Sequence, residues 1–296
     1  MKDVFALHSI VDADSFPFDP AAYSRFKFGD CDAADTFGAA LATGFITAYG
    51  EQLLNREQLV ILPSPYTSIP TASYYMTLAF AKTLNRYLCI HDCKPVEYAK
   101  IHRYKTYSID YGALDMQSRQ ALIINDRYHL DREFLLGKTL IFTDDIRITG
   151  SHELIVRNLL KRFELDNEAY FLYYAQLQNK EIHPNIENKL NYHSVHSLRH
   201  LEEVLSAPSF RFNTRVVKYL LNAPAEEYEQ LLLKQTPAFL EELADNMISN
   251  GYHQMEEYRR NANFLLDHLQ KIIPSWQSIC KKEKEPILKY QNSLLA

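Results

Sequence analysis

The chain is poor in glycine, with 8 in 296 residues, whereas an average protein has about 7%. Seven of the eight precede position 151, and their scarcity beyond it favours helices joined by short polar turns. The composition is otherwise ordinary, with 47% hydrophobic and 23% charged residues. Such a composition is typical of a globular protein and excludes a disordered or fibrous one.

Basic charge, long apolar runs and cysteine are also scarce. The chain has 32 basic and 37 acidic side chains, a balance that argues against a nucleic-acid binder. No apolar run approaches the roughly 18 residues that a membrane span needs. The four cysteines are too few and too scattered for a disulfide framework. Three aspartates lie in the first 14 residues, where a secretion signal would have cations. We therefore expect a cytoplasmic protein with no nucleic-acid partner and no membrane partner.

Up to residue 198 the hydrophobic pattern alternates between two periods. Short apolar runs predict strands, and apolar residues repeated at three or four positions predict helices. This alternation predicts an α/β fold, with a mainly parallel sheet flanked by helices. The predicted strands are 59–62, 96–102, 139–143, 168–175 and 189–198, and the predicted helices are 36–54, 72–85 and 151–163.

Beyond residue 198 the strand pattern stops and helical patterns follow one another. Prolines and a glycine separate these segments, which is how consecutive helices are usually divided. We therefore divide the chain into an α/β domain, residues 1–198, and a helical C-terminal region, residues 199–296, packed on it. The predicted helices of this region are 214–222, 226–234, 237–249 and 254–272.

One acidic turn carries most of the chemical information. Its apolar strand ends in Asp144 and Asp145, at the edge where open α/β sheets bind ligands. Four residues later Thr149-Gly150-Ser151 opens a helix, whose free N–H groups and dipole suit a phosphate. Carboxylates that accept sugar hydroxyls, followed by a phosphate cradle, predict a sugar-phosphate site. The alternative is a helix start with solvated aspartates.

The segment from Leu140 to His152 resembles the 5-phosphoribosyl-1-pyrophosphate (PRPP) signature of the type I phosphoribosyltransferases. The resemblance covers roughly residues 23–198 and implies that family's fold. It implies that Asp144 and Asp145 accept the ribose hydroxyls and hold Mg²⁺, directly or through water. His152 departs from the pattern, because the family often has Thr or Ser there. The residues that the resemblance assigns to the 5-phosphate are Ile148, Thr149, Gly150, Ser151 and His152.

The resemblance also assigns roles to two upstream segments. The family's pyrophosphate loop follows the first core strand, and here that loop is bounded by prolines and has no glycine, so an ordinary strand-to-helix turn is the alternative. Lys100 and Arg103 match the basic residues that the family places on the next strand, where two solvated cations are the alternative. Residues 103–120 would then form a lid over the pyrophosphate. The residues assigned to the pyrophosphate loop are Ser64, Pro65, Tyr66, Thr67 and Ser68.

The segments 23–30 and 144–153 are also similar to phosphoribosyltransferase-like proteins of bacterial stress and tellurite-resistance gene clusters. The implied function is Mg²⁺-dependent transfer of ribose 5-phosphate from PRPP to a nucleobase-like nitrogen nucleophile, with release of pyrophosphate. Asp144, Asp145, Lys100 and Arg103 would be the catalytic residues. The unusual loop keeps a second hypothesis open, a catalytically inactive regulator that senses PRPP or a nucleotide. The family is often dimeric, which allows a homodimer, and the sequence leaves the acceptor open.

Overall fold

The computed structural model describes residues 2–104 and 128–281. Its described strands form a five-stranded sheet in the order β1-β7-β6-β2-β3, in which every pairing is parallel, and a small antiparallel pair, β4-β5. The strands are β1 (Lys2–Ile10), β2 (Leu59–Pro63), β3 (Glu97–Tyr98), β4 (His102–Arg103), β5 (Tyr128–His129), β6 (Thr139–Arg147) and β7 (Ala169–Leu177).

The described helices follow the strands along the chain and then continue alone. Two short 3₁₀ turns, Tyr252–Gln254 and Glu256–Tyr258, interrupt the last part. The α-helices are α1 (Pro20–Lys27), α2 (Cys31–Leu54), α3 (Ala72–Ile90), α4 (Arg132–Leu135), α5 (Ser151–Arg162), α6 (Ile186–Asn191), α7 (Leu198–Leu205), α8 (Thr214–Leu221), α9 (Ala225–Leu232), α10 (Pro237–Ser249), α11 (Arg259–Ile272) and α12 (Pro274–Lys281).

The central strands are buried on both faces, which explains their near-continuous apolar sequences. One face packs against α2 and α3 through residues such as Ile61, Ile141 and Leu172. The other face packs against α5 through residues such as Phe142 and Phe171. The predicted fold class, a mainly parallel sheet flanked by helices with an α-helical C-terminal part, is thereby confirmed.

The chain divides into two compact units, one reaching to Tyr219 and the other beginning at Leu220. The second unit has its own buried residues, among them Tyr228, Leu243 and Leu265. The domain boundary that we predicted at residue 198 stays a prediction. Among the described residues, no helix combines the length and the apolar character that crossing a bilayer requires.

Two strand predictions differ from the structure. Residues 189–198 form no strand: α6 ends at Asn191, and Ser197 caps α7 by accepting a hydrogen bond from the His200 N–H. The apolar residues there follow a helical spacing that short windows confuse with a strand. The predicted strand 96–102 is divided, because β3 joins the main sheet whereas β4 pairs with β5. Strand β1 was not predicted.

Gly38 sets the distance between α2 and α3. A Cβ atom at this position would lie 2.3 Å from the Met76 carbonyl oxygen and 2.7 Å from the Ala79 Cβ. Both are parts of a helix backbone or directly attached to it, so neither can move away alone. The glycine therefore allows the two helices to pack closely on the sheet.

We expect Gly38→Ala to lower the free energy of unfolding by about 1–3 kcal/mol, the usual cost of overpacking a core. Gly44→Ala is the matched control in the same helix, because its Cβ would meet only the ends of side chains, Leu7 Cδ1 at 2.6 Å and Phe5 Cζ at 3.3 Å, rather than a helix backbone. That control should be neutral or stabilising, since alanine favours helix. Urea unfolding measures both, and equal effects of the two variants would contradict this account of Gly38.

Candidate functional site

The loop after β2 and the end of β6 meet at the carboxyl edge of the sheet. Their strands are neighbours, with Pro63 opposite Thr143 in the parallel register. An open cleft lies there, lined among others by Ser64, Asp144 and His152. This is the edge at which open α/β sheets bind ligands.

The two acids lie on opposite faces of the sheet. They occupy consecutive positions within β6, which continues to Arg147, and consecutive side chains of a strand alternate between faces. Asp144 is directed toward His152 at the start of α5, whereas Asp145 is directed toward α1. The prediction that both carboxylates hold one ligand stays a prediction, and the geometry gives the two acids different surroundings.

Asp144 is the acid that lines the cleft. Its Oδ2 lies 3.3 Å from His152 Nδ1, and its Oδ1 accepts a hydrogen bond of 3.0 Å from the Asp145 N–H. Burial alone would raise the pKa of Asp144, but His152, the Ser64 hydroxyl and Lys27 together hold this pKa below its usual value. Asp144 is therefore an ionised acceptor at the mouth of the cleft.

One oxygen of Asp145 is satisfied by the protein itself. Its Oδ2 accepts a hydrogen bond of 2.8 Å from the Tyr23 hydroxyl and forms an ion pair with Lys27. Burial and the charge of Asp144 raise the pKa of Asp145, although Lys27 opposes that shift. Burial also raises the pKa of Tyr23 well above its usual value, so Tyr23 remains a hydrogen-bond donor.

The predicted phosphate cradle opens helix α5. Gly150 has φ 73°, the left-handed conformation that favours glycine, and caps the helix. The Thr149 and Ser151 hydroxyl oxygens lie 2.7 Å apart, and Ile148 packs against the core beneath them. His152 directs a half-exposed side chain beside the cradle. The N–H groups at this helix start suit an anion.

Arg147 adds positive charge beside the cradle and was not predicted. Its Nη2 would lie 3.1 Å from a Cβ at Gly150. Its Nε donates to Glu153 at 2.7 Å, and Arg157 donates to the other oxygen of Glu153, also at 2.7 Å. Two guanidinium groups thus share one buried carboxylate, which leaves a net positive charge next to Gly150.

The predicted basic residues lie beside the predicted pyrophosphate loop. Lys100 Nζ donates to the Thr67 carbonyl at 2.5 Å and lies 3.8 Å above the centre of the Tyr66 ring. Burial lowers the pKa of Lys100. The Arg103 N–H donates to the Tyr66 carbonyl at 3.3 Å. Among the loop residues, Ser64 and Pro65 line the cleft, whereas Ser68 is exposed at the far end of the loop.

Tyr23 and Lys27 were missed as site residues, although they lie in the segment 23–30 that the narrower resemblance singled out. Their distance from Asp145 along the chain hid the contact, because local patterns carry no information on pairing across more than a hundred residues. Of the predicted lid, residues 105–120 lie outside the described residues.

The acid pair fits Mg²⁺ only in part. Mg²⁺ prefers oxygen ligands and is often held by one or two carboxylates together with substrate phosphates. Asp144 offers such an oxygen toward the cleft, whereas Oδ2 of Asp145 is already occupied by Tyr23 and Lys27. Within residues 2–104 and 128–281, no group of three or more His, Cys, Asp or Glu side chains could hold a metal ion.

Comparison with known proteins identifies one matching family. The family model described as PRTase ComF-like matches residues 1–265. None of the curated proteins compared with the chain matches it.

Several solved structures are similar in part. The hypoxanthine phosphoribosyltransferase of Staphylococcus aureus is 9% identical, with 48% of this chain and 74% of that chain covered and a TM-score of 0.32. A variant of the Trypanosoma cruzi hypoxanthine phosphoribosyltransferase in complex with IMP is 14% identical, with 51% and 77% covered and a TM-score of 0.32. The purine phosphoribosyltransferase of Pyrococcus horikoshii is 10% identical, with 47% and 81% covered and a TM-score of 0.24.

The different surroundings of the two acids predict different costs of neutralising them. Asp145→Asn leaves the Lys27 ammonium buried without its counter-ion and should lower the free energy of unfolding by about 3 kcal/mol or more. Asp144→Asn should cost less, because the partner that it leaves, His152, is half-exposed and water can solvate it. Urea unfolding of both variants tests this, and equal costs would mean that the ion pair contributes no more than an ordinary hydrogen bond.

Proposed function

The chain belongs to the ComF-like phosphoribosyltransferase family, and from that membership we propose that it transfers ribose 5-phosphate from PRPP to a nucleobase-like nitrogen nucleophile, releasing pyrophosphate. The observation that carries the proposal is the cleft in which Asp144 lies between the β2 loop and the start of α5. Asp144, proposed to accept the sugar hydroxyls, and His152, one of the residues assigned to the 5-phosphate, both line this cleft.

The start of α5 binds the 5-phosphate. Three features favour a dianion there. They are the backbone N–H groups from Gly150 to His152, the hydroxyls of Thr149 and Ser151, and the helix dipole. Arg147 adds a cation at the same turn. A phosphate held at this place directs the ribose ring toward Asp144, because the acid and His152 are in contact.

Asp144 accepts the ribose hydroxyls and stabilises the reacting sugar. When the bond from the anomeric carbon to pyrophosphate breaks, the sugar gains oxocarbenium character, and a fixed negative charge nearby stabilises that positive charge. The low pKa of Asp144 keeps the carboxylate ionised for this purpose. The nitrogen of the acceptor then bonds to the anomeric carbon and releases its proton to solvent.

The β2 loop and the neighbouring cations hold the pyrophosphate. Lys100 touches the loop through Thr67 and Tyr66, so a ligand bound by the loop also meets the ammonium charge. Arg103 lies next to the same loop, because its backbone N–H donates a hydrogen bond to the Tyr66 carbonyl. Asp144 is the protein group that would hold Mg²⁺, and the charge of the ion would stabilise the leaving pyrophosphate.

A second candidate is a regulator that binds PRPP or a nucleotide without turnover. The occupation of Asp145 by Tyr23 and Lys27 favours it, since one of the two family acids is then withheld from the ligand. The glycine-free β2 loop favours it as well. Pyrophosphate release separates this candidate from the enzyme.

The proposed function is tested by binding and turnover on the full chain. Calorimetry should detect PRPP and ribose 5-phosphate binding, and pyrophosphate should be released from PRPP in the presence of the right nucleobase in a panel. Binding without release with any base favours the regulator. Absence of binding by PRPP, ribose 5-phosphate and every nucleoside monophosphate would refute the sugar-phosphate site.

Lys100→Met should weaken PRPP binding by about tenfold, the equivalent of about 1.4 kcal/mol, while leaving ribose 5-phosphate affinity unchanged. The reason is that only PRPP carries the pyrophosphate that the ammonium is proposed to contact. Lys94→Met is the matched control, an exposed lysine on the preceding turn. Titration calorimetry gives both affinities, and an equal loss for the two ligands would show that Lys100 supports the loop rather than the pyrophosphate.

A further inference from the structure

Asp145 has a cation of its own chain where the family resemblance places a metal. Lys27 and Asp145 are both largely buried, with 11% and 7% of their side chains exposed. The same carboxylate oxygen also accepts the Tyr23 hydroxyl hydrogen bond. A hydrated Mg²⁺ ion loses its water reluctantly. Oδ2 of Asp145 is buried and already bonded to both Tyr23 and Lys27, so this oxygen has no position left for the ion.

Lys27 is held in place by the backbone around it. Its carbonyl oxygen accepts a hydrogen bond of 3.2 Å from Asn213 Nδ2, and Asn213 is fully buried. Two residues later the Gly29 carbonyl accepts from the Arg211 N–H at 3.0 Å. A Cβ at Gly29 would lie 2.4 Å from the Arg211 carbonyl oxygen, which shows how closely the two segments pack. The ammonium therefore belongs to the anchored C-terminal end of α1.

We propose that Lys27 is the resident cation of the acid pair: it occupies Asp145 permanently, so that a divalent ion brought by PRPP contacts Asp144 and never Asp145. This inference rests on the proposed function in taking the acid pair as the sugar-facing site. Lys27 is a positioning residue, because it acts through Asp145 and not on the substrate. Asp144, Asp145 and Lys27 together then carry a net charge of −1, whereas the two carboxylates alone would carry −2.

Removing the ammonium should open Asp145 to a metal ion. The probe is Mn²⁺ alone, added to the full chain. The electron paramagnetic resonance signal of the free ion measures how much of it is bound. Lys27→Ala frees the carboxylate and vacates the space beside it, so Mn²⁺ affinity should rise by at least about tenfold. The added substitution Asp145→Asn should abolish this gain.

The matched control breaks a different lysine–aspartate ion pair by replacing its lysine. Lys189 Nζ contacts Asp14 Oδ1 at 2.7 Å on the surface, with 51% and 87% of the two side chains exposed. Lys189→Ala also frees a carboxylate, but one on the open surface, where water competes with the protein for the ion, and should leave Mn²⁺ affinity unchanged. A folded Lys27→Ala variant with unchanged Mn²⁺ affinity would overturn the proposal.

If Lys27→Ala does not fold, a double variant that removes both charges of the ion pair tests the proposal. Lys27→Met with Asp145→Asn removes both charges together, which buried ion pairs often tolerate. The proposal expects this double variant to bind Mn²⁺ as the natural chain does. Weaker binding would overturn it, since Asp145 would then already hold the ion. The probe contains no PRPP, so a chain that fails to bind PRPP still gives a clear answer here.

Discussion

The alternation of side chains along a β-strand is the constraint on which the site depends. Because Asp144 and Asp145 are consecutive in β6, one must face α5 and the other α1. Two carboxylates that look like one acidic motif in the sequence therefore enter different chemical surroundings. One becomes an ionised acceptor at the cleft, and the other becomes the centre of a buried network that attaches α1 to the sheet.

Two of the carboxylates at this edge of the sheet are paired with buried or half-buried cations. Asp145 has Lys27, and Glu153 has both Arg147 and Arg157. The surplus positive charge of the Glu153 cluster lies beside Gly150, at the positive end of the α5 dipole. The cleft thus offers a negative charge at Asp144 and a positive potential at the cradle, the polarity that a sugar phosphate requires.

Local patterns predicted the parts of this site that are local. The apolar run of β6, the Thr149-Gly150-Ser151 turn and the start of α5 are each encoded within a few residues, and the structure contains all three. The contact of Tyr23 and Lys27 with Asp145 spans more than a hundred residues and depends on the tertiary fold. The strand predicted over 189–198 failed for a related reason: periodicity in a short window cannot distinguish α6 from a strand until burial selects one.

The segment around Asn213 joins the two halves of the site. Asn213 donates to the Lys27 carbonyl, and its neighbour Thr214 donates from Oγ1 to the Ile69 carbonyl at 2.9 Å. Just before them the Phe212 carbonyl accepts from the Tyr75 hydroxyl at 2.8 Å. These hydrogen bonds anchor the C-terminal end of α1, which carries Lys27, and the end of the β2 loop to one another. Since all of these residues lie in the unit that reaches to Tyr219, the structural support of the site includes chain well beyond its last strand, and the position of Lys27 relative to the loop is set by that segment.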